Sequence, residues 1–141
     1  MTLAVDTSLT NDLRDRMPFA AQLGLEILES SPTRVVVRSD WTPERCTSFG
    51  LLHGGFLMAV ADSAGGALTA HHLPLGAGTS TIESKTNLLR GVREGAITAT
   101  AEPLHVGRTT IVVETRILDA SGKLVSKTTQ TQLVLPPKEA K

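Results

Sequence analysis

The chain has 141 residues and a mass of 14.9 kDa, enough for one domain with a substantial core, and its 14 basic and 14 acidic residues cancel. That balance leaves no basic face for nucleic acid, and an aromatic content of 3% supplies no platform for stacked bases. No basic-then-apolar leader opens the chain, no apolar stretch is long enough to span a bilayer, and the one cysteine, Cys46, cannot form an internal disulfide, so no membrane partner and a cytoplasmic setting are expected.

Residues 10–17 predict a short polar helix stopped by Pro18. Leu23 to Glu29 and Arg34 to Trp41, the second containing Val35-Val36-Val37, read as two strands joined by a turn at Ser30-Ser31-Pro32-Thr33. Thr42 to Leu51 reads as a loop. An apolar helix follows from about Gly54 to His72, ending before Pro74 and Gly76, with His71 and His72 where positive charge suits the helix dipole. The period then changes. Thr79 to Leu89, Ala96 to Pro103, Thr109 to Asp119 and Leu124 to Leu135 are rich in Thr, Val and Ile and read as strands, with a hairpin turn at Asp119-Ala-Ser-Gly122. Residues 136–141 form a short tail. These elements give an α+β domain: one long helix and about six antiparallel strands. A helix apolar all round must be wrapped by a sheet to hide its surface.

Inside that helix, Phe56 to Leu68 contains no Lys, Arg or Glu and a single acid, Asp62. An ionised carboxylate is costly in a buried helix, which points to chemistry rather than packing. Just before it, Gly54-Gly55 places free backbone N–H groups at the helix N-terminus, where partial positive charge collects. A carboxylate and an oxyanion site on one element suggest reaction at a carbonyl. Each residue also has a plainer reading. Asp62 could be a structural acid bonded to Ser63 or Thr69, His53 an ordinary surface residue, and Gly54-Gly55 a device for close packing. Ser63 falls in mid-helix, which rules out a nucleophile elbow, and nothing orients Cys46 with His53 as a catalytic pair. Gly76-Ala-Gly78 follows a helix and precedes a strand, the reverse of a dinucleotide loop. His71 and His72 lack further ligands at metal spacing, so no metal is expected.

The order His53-Gly54-Gly55, then Asp62 nine residues after the histidine, resembles the hotdog-fold acyl-CoA thioesterases, closest to the phenylacetic-acid-degradation and 4-hydroxybenzoyl-CoA thioesterase branch. Ser80, Asn87-Leu-Leu-Arg90, Arg93-Glu-Gly95, Val106-Gly-Arg-Thr109 and Asp119-Ala-Ser-Gly-Lys-Leu-Val125 extend the likeness, which runs from about Pro18 to Leu135 within a single domain over 1–141. The resemblance implies a hotdog fold, a long helix wrapped by a curved sheet. It also implies a homo-oligomer, a dimer or a dimer of dimers (homotetramer), with active sites across the dimer interface. The implied reaction is hydrolysis of an aromatic or medium-chain acyl-CoA to free acid and coenzyme A, as in aromatic degradation. There is no separate cofactor, because coenzyme A belongs to the substrate.

Carried over by position, Asp62 is the nucleophile or general base and Gly54 the oxyanion donor. His53 supports the loop and the leaving thiolate, and Ser80 helps orient water or the acid. Thr47 stands where the family has an amide side chain. Gly55, Gly66, Arg90, Arg108, Thr109 and Thr110 fall at substrate-binding positions. Two rivals remain open at this stage: a hotdog dehydratase or hydratase, and an acyl-CoA-binding module that senses without hydrolysis.

Overall fold

The computed structural model describes residues 2–139. Two short helices come first, α1 over Thr7–Arg16 and α2 over Pro18–Gln22. Asp6 caps α1 by accepting a hydrogen bond from the Leu9 N–H at 2.9 Å, which moves its start three residues ahead of the expected one. Pro18 does interrupt the first helix, but it also opens the second. It needs no backbone donor at a first helical position, and its fixed φ suits one. Thr10 and Leu13 are buried, and the Thr10 Oγ1 accepts from the Ile27 N–H at 2.8 Å. The packed body therefore reaches further toward the N-terminus than the stretch of family likeness from Pro18 to Leu135.

The strands are β1 (Glu26–Ser30), β2 (Val35–Asp40), β3 (Gly78–Leu88), β4 (Ala96–Val106), β5 (Thr110–Leu118) and β6 (Leu124–Leu135). Gly24, at φ 65°, makes the turn that delays β1 relative to the expected Leu23 start. All neighbours pair antiparallel, in the order β1-β2-β4-β5-β6-β3. β4 runs past Pro103, the expected end, because a register shift between Pro103 and His105 accommodates the missing N–H. The loop over Thr42 to Leu51 holds two short 3-10 turns, Pro43–Arg45 and Ser48–Gly50. Met1 and the last two residues of the expected tail lie outside the described residues.

The long helix α3 spans Gly54–Ala70 and crosses the concave face of the sheet, touching β2, β3, β4, β5 and β6. Leu57, Val60, Ala61, Ala64 and Leu68 enter the core against Val35, Val37, Ile97, Ala99, Ile111, Val113 and Ile117. This is the α+β hotdog arrangement. It differs from the expectation in one respect that matters for function: the sheet covers only one side of α3. Gly55, Met58 and Asp62 are exposed, with Ala59 and Gly66 half-buried beside them. The open stripe is made of the same small apolar residues as the covered one, so hydropathy cannot tell the two sides apart.

Candidate active site

Asp62 sits on that open stripe, and the burial expected for it is absent in the single chain. It is nevertheless firmly held. Its Oδ1 accepts from the Thr81 hydroxyl at 2.8 Å and from the Gln130 Nε2 at 2.9 Å. Both donors come from strands, β3 and β6, that flank this part of the helix. Behind Thr81, the Gln132 Nε2 donates to the Thr81 Oγ1 at 2.7 Å, and the Thr79 hydroxyl donates to the Gln132 Oε1 at 3.0 Å. Gly65 makes this possible, because a Cβ there would run into the Gln130 amide. Ser63 and Thr69 bond back to their own helix, to the Ala59 and Gly65 carbonyls, and so are not partners of the acid. The second carboxylate oxygen, Oδ2, has no hydrogen bond among the described residues.

The N-terminal end of α3 is built differently, from backbone. His53 is the cap: its Nδ1 accepts from the Gly55 N–H at 2.8 Å, and its own N–H donates to the Arg45 carbonyl at 2.9 Å. An accepting Nδ1 leaves Nε2 as the ring's donor. The Gly55 N–H is thereby used. The Gly54 N–H donates to no acceptor among the described residues, and neither does the Phe56 N–H, so Gly54 is a free donor at the positive end of the dipole. A Cβ on Gly54 would meet the Leu88 Cδ1 at 2.6 Å, so this backbone lies against the end of β3.

Gly54 and Asp62 are separated by about 12 Å along the helix axis, from the rise per residue. One carbonyl group cannot reach both in a single chain. Two clefts reflect this separation. One, of about 440 Å³, is lined by His53, Gly55, Phe56, Arg45 and Cys46. The other, of about 260 Å³, is lined by Asp62, Gly66, Thr81, Gln132 and Met17. Phe19 and Ala59 form a wall of each.

The remaining expected residues divide. Gly66 lies beside Asp62 with open space where a side chain would stand. Ser80 does not reach the acid: it is exposed, and its neighbour Thr81 provides the hydroxyl. Successive residues on a strand point to opposite faces, so an offset of one residue exchanges them. Thr47 is exposed in the loop, its N–H donating to the Leu51 carbonyl at 2.7 Å, and its hydroxyl has no partner among the described residues. Nearby, Phe49 takes a positive φ of 66° and is 87% exposed, with its carbonyl held by Arg93 at 2.8 Å.

Arg90, Arg108 and Thr109 are exposed and Thr110 half-buried, but they do not form one cluster. Leu88 pairs with Ser126 and Thr110 with Leu133, which places Arg90 and the Arg108–Thr110 turn about 23 Å apart along β6. Arg90 lies at the helix N-terminal end and adds its charge near Asp119. The Asp119 carboxyl is held below its ordinary range first by the Ser121 hydroxyl and then by the Lys123 N–H. Among the described residues no group of three or more His, Cys, Asp or Glu could hold a metal.

Thr81, Gln130, Gln132 and Gly65 were not singled out from the sequence. The available signal was the alternation Ser126, Thr128, Gln130, Gln132 on β6, polar at each position that turns inward.

Residues 49–126 match the family model of the Thioesterase superfamily. Solved structures agree over nearly the whole chain. A mutant thioesterase from Pseudomonas aeruginosa superposes with a TM-score of 0.85 at 27% identity, covering 96% of this chain and 99% of its own. A thioesterase from Haemophilus influenzae gives 0.87 at 26% identity, with 98% of each chain covered. A hypothetical thioesterase from Streptococcus pneumoniae, solved with coenzyme A, gives 0.79 at 27% identity, covering 92% of this chain and 99% of its own. A search of curated proteins gave no match.

Proposed function

Because the chain belongs to the thioesterase superfamily, we propose that it hydrolyses acyl-CoA thioesters, with Asp62 as the reacting carboxylate and the Gly54 N–H as the oxyanion donor. The observation that carries this reading is the state of those two groups. Asp62 is clamped through one oxygen and free at the other, and Gly54 presents an unused N–H at a helix end. Coenzyme A in the Streptococcus pneumoniae relative supports a CoA ester as the substrate class.

The thioester oxygen gains negative charge as its carbonyl is attacked, and a fixed N–H with a helix dipole behind it stabilises that charge. The Asp62 Oδ2 either takes a proton from water, whose oxygen then attacks, or attacks directly to give a mixed anhydride that water opens. In both routes the C–S bond breaks and coenzyme A departs as a thiolate, a leaving group good enough to need no catalytic triad. His53 holds the Gly55 amide and so the turn that aims Gly54. The apolar walls of the Asp62 cleft, Met17, Phe19, Ala59 and Gly66, suit an aromatic or medium-length acyl group. Arg90 and Arg108 are the candidate phosphate contacts.

The 12 Å between Gly54 and Asp62 argues for a second copy. Two chains packed through the open stripe of α3 and the free edge of β3 would bring the Gly54 of one toward the Asp62 of the other. Such packing would also cover a long unpaired strand edge. The reading is therefore of a dimer or a dimer of dimers, in a cytoplasmic setting that suits the free Cys46. Light scattering at working concentration should give at least twice the 14.9 kDa of one chain; a monomer would contradict the shared site.

The direct test is thiol release from phenylacetyl-, benzoyl-, hydroxybenzoyl- and octanoyl-CoA. Turnover of at least one is expected. Tight binding with no turnover on any would point instead to a module that senses acyl-CoA.

A further inference from the structure

Two polar side chains on β3 and β6, Thr81 and Gln130, bond one oxygen of Asp62, and two more, Gln132 and Thr79, stand in line behind Thr81. The Thr79 hydroxyl donates to the Gln132 Oε1, the Gln132 Nε2 to the Thr81 Oγ1, and the Thr81 hydroxyl to the Asp62 Oδ1. The order is forced by chemistry. An amide offers an acceptor at one end and donors at the other. The carboxylate oxygen only accepts, so the Thr81 hydroxyl must donate to it, the Thr81 oxygen must accept from the Gln132 Nε2, and the Gln132 Oε1 is left facing the Thr79 hydroxyl, which also lies 3.0 Å from the Leu133 carbonyl. Gln130 supplies the second donor to the same Oδ1. Gln130 and Gln132 are 0% and 1% exposed, so neither is a surface residue that meets its partner, Asp62 or Thr81, by chance. A buried glutamine is costly unless its position is used, and the Gln130 Oε1 has no partner among the described residues.

We propose that Thr81 and Gln130, with Gln132 behind Thr81, are positioning residues for the thioesterase reaction. They fix the Asp62 carboxylate in one rotamer with Oδ1 fully occupied, so that Oδ2 alone is presented to water or to the thioester carbonyl. This inference rests on the thioesterase reading above and adds to it the residues that select the reacting oxygen. Two donors on one oxygen also prevent the carboxylate from turning, and a carboxylate that turns loses the aligned geometry on which attack depends. Gly65 belongs to the same device, since its missing Cβ leaves the space that the Gln130 amide occupies.

The test compares kcat and KM for Thr81→Val, Thr81→Ser and Gln130→Leu on the best acyl-CoA of the panel, with thermal melts as the folding control. Thr81→Val keeps the shape and removes the proton, and Thr81 is exposed, so folding should survive. Thr81→Val and Gln130→Leu should each lower kcat about tenfold, the scale of one hydrogen bond to a charged group, with KM changed less than about twofold. Thr81→Ser should restore most of the loss, because it returns the donor without the methyl group. A purely structural role would lower the melting temperature and leave kcat per folded molecule intact. If the parent and Thr81→Val turn over equally while Asp62→Asn is inactive, the clamp is wrong and the thioesterase reading stands. If the parent releases no thiol from any ester, the thioesterase reading falls and the clamp falls with it.

Discussion

Two halves of the concave sheet face are equally buried and chemically opposite. On β4 and β5 the inward residues Ile97, Ala99, Ala101, Ile111, Val113 and Ile117 are 0% exposed and apolar, with the equally buried Thr115 as a polar exception. On β6 the inward residues Ser126, Thr128 and Gln130 are also 0% exposed, yet polar. Burial of the first group drives folding, at about 25 cal/mol per Å² of apolar surface removed from water. Burial of the second contributes little and is offset only in part by hydrogen bonds, such as Thr86 with Thr128 at 2.7 Å and Gln130 with Asp62 at 2.9 Å, while the Ser126 hydroxyl has no partner among the described residues. Stability is concentrated under one side of α3, and the groups that hold the acid lie under the other. Substitutions in the two halves should accordingly fail in different ways.

The largest effect should come from the apolar half. Ile97→Ala empties a fully buried site and should cost about 2–5 kcal/mol of stability, read by denaturant unfolding. Its kcat, measured well below the melting temperature, should stay close to that of the parent. A large fall in kcat at full folding would show that the halves are not separable.

Asp62→Asn should show the reverse. Asparagine keeps an Oδ1 that can accept from Thr81 and Gln130, and replaces only the free oxygen with an amide NH₂. We expect kcat to fall about a hundredfold or more, as for loss of a general base, with little change in melting temperature. Relief of a buried charge adds no stability to the single chain, since Asp62 is exposed in it. Near-full activity with early melting would make Asp62 structural.

Thr47 offers a smaller perturbation, outside both halves. Thr47→Ala should lower kcat by about tenfold at most, equivalent to about 1.4 kcal/mol, and Thr47→Asn or Thr47→Gln should hold or raise it. Unchanged kcat and KM in Thr47→Ala would leave the oxyanion to Gly54 and the helix dipole.

The mildest effect is expected at the far end of α3, where His71 meets Ser30 at 2.8 Å. Burial, and then the neighbouring His72, hold the His71 pKa below its ordinary 6.5. A histidine whose pKa is lower when folded binds protons more readily when unfolded, so acid removes stability. Melting temperature should fall as the pH drops below 6.5, and His71→Gln should flatten part of that fall. An identical pH profile in the variant would show that this proton does not matter to folding.

Much of the molecule was legible from its residues. The bounds of α3 and of the later strands, the far end of β4 excepted, follow to within two residues from runs and alternations that need no partner to be read, and Leu124–Leu135 is an example. The candidate site was suggested for the same local reason: one acid in an apolar helix, and two glycines at its start. Which side of α3 the sheet covers was decided only in three dimensions, because Met58, Ala59 and Gly66 on the open stripe are as apolar as Val60 and Ala64 beneath it. So too was the choice of Thr81 over Ser80. Which face of β3 meets α3 depends on its pairing with β6, including a register shift between Thr81 and Glu83, and pairing is a relation between distant segments. The clamp on Asp62 joins residues 68 positions apart. Local sequence determines what an element can be, whereas convergence of Asp62, Thr81 and Gln130 on one oxygen requires the whole sheet to close around the helix.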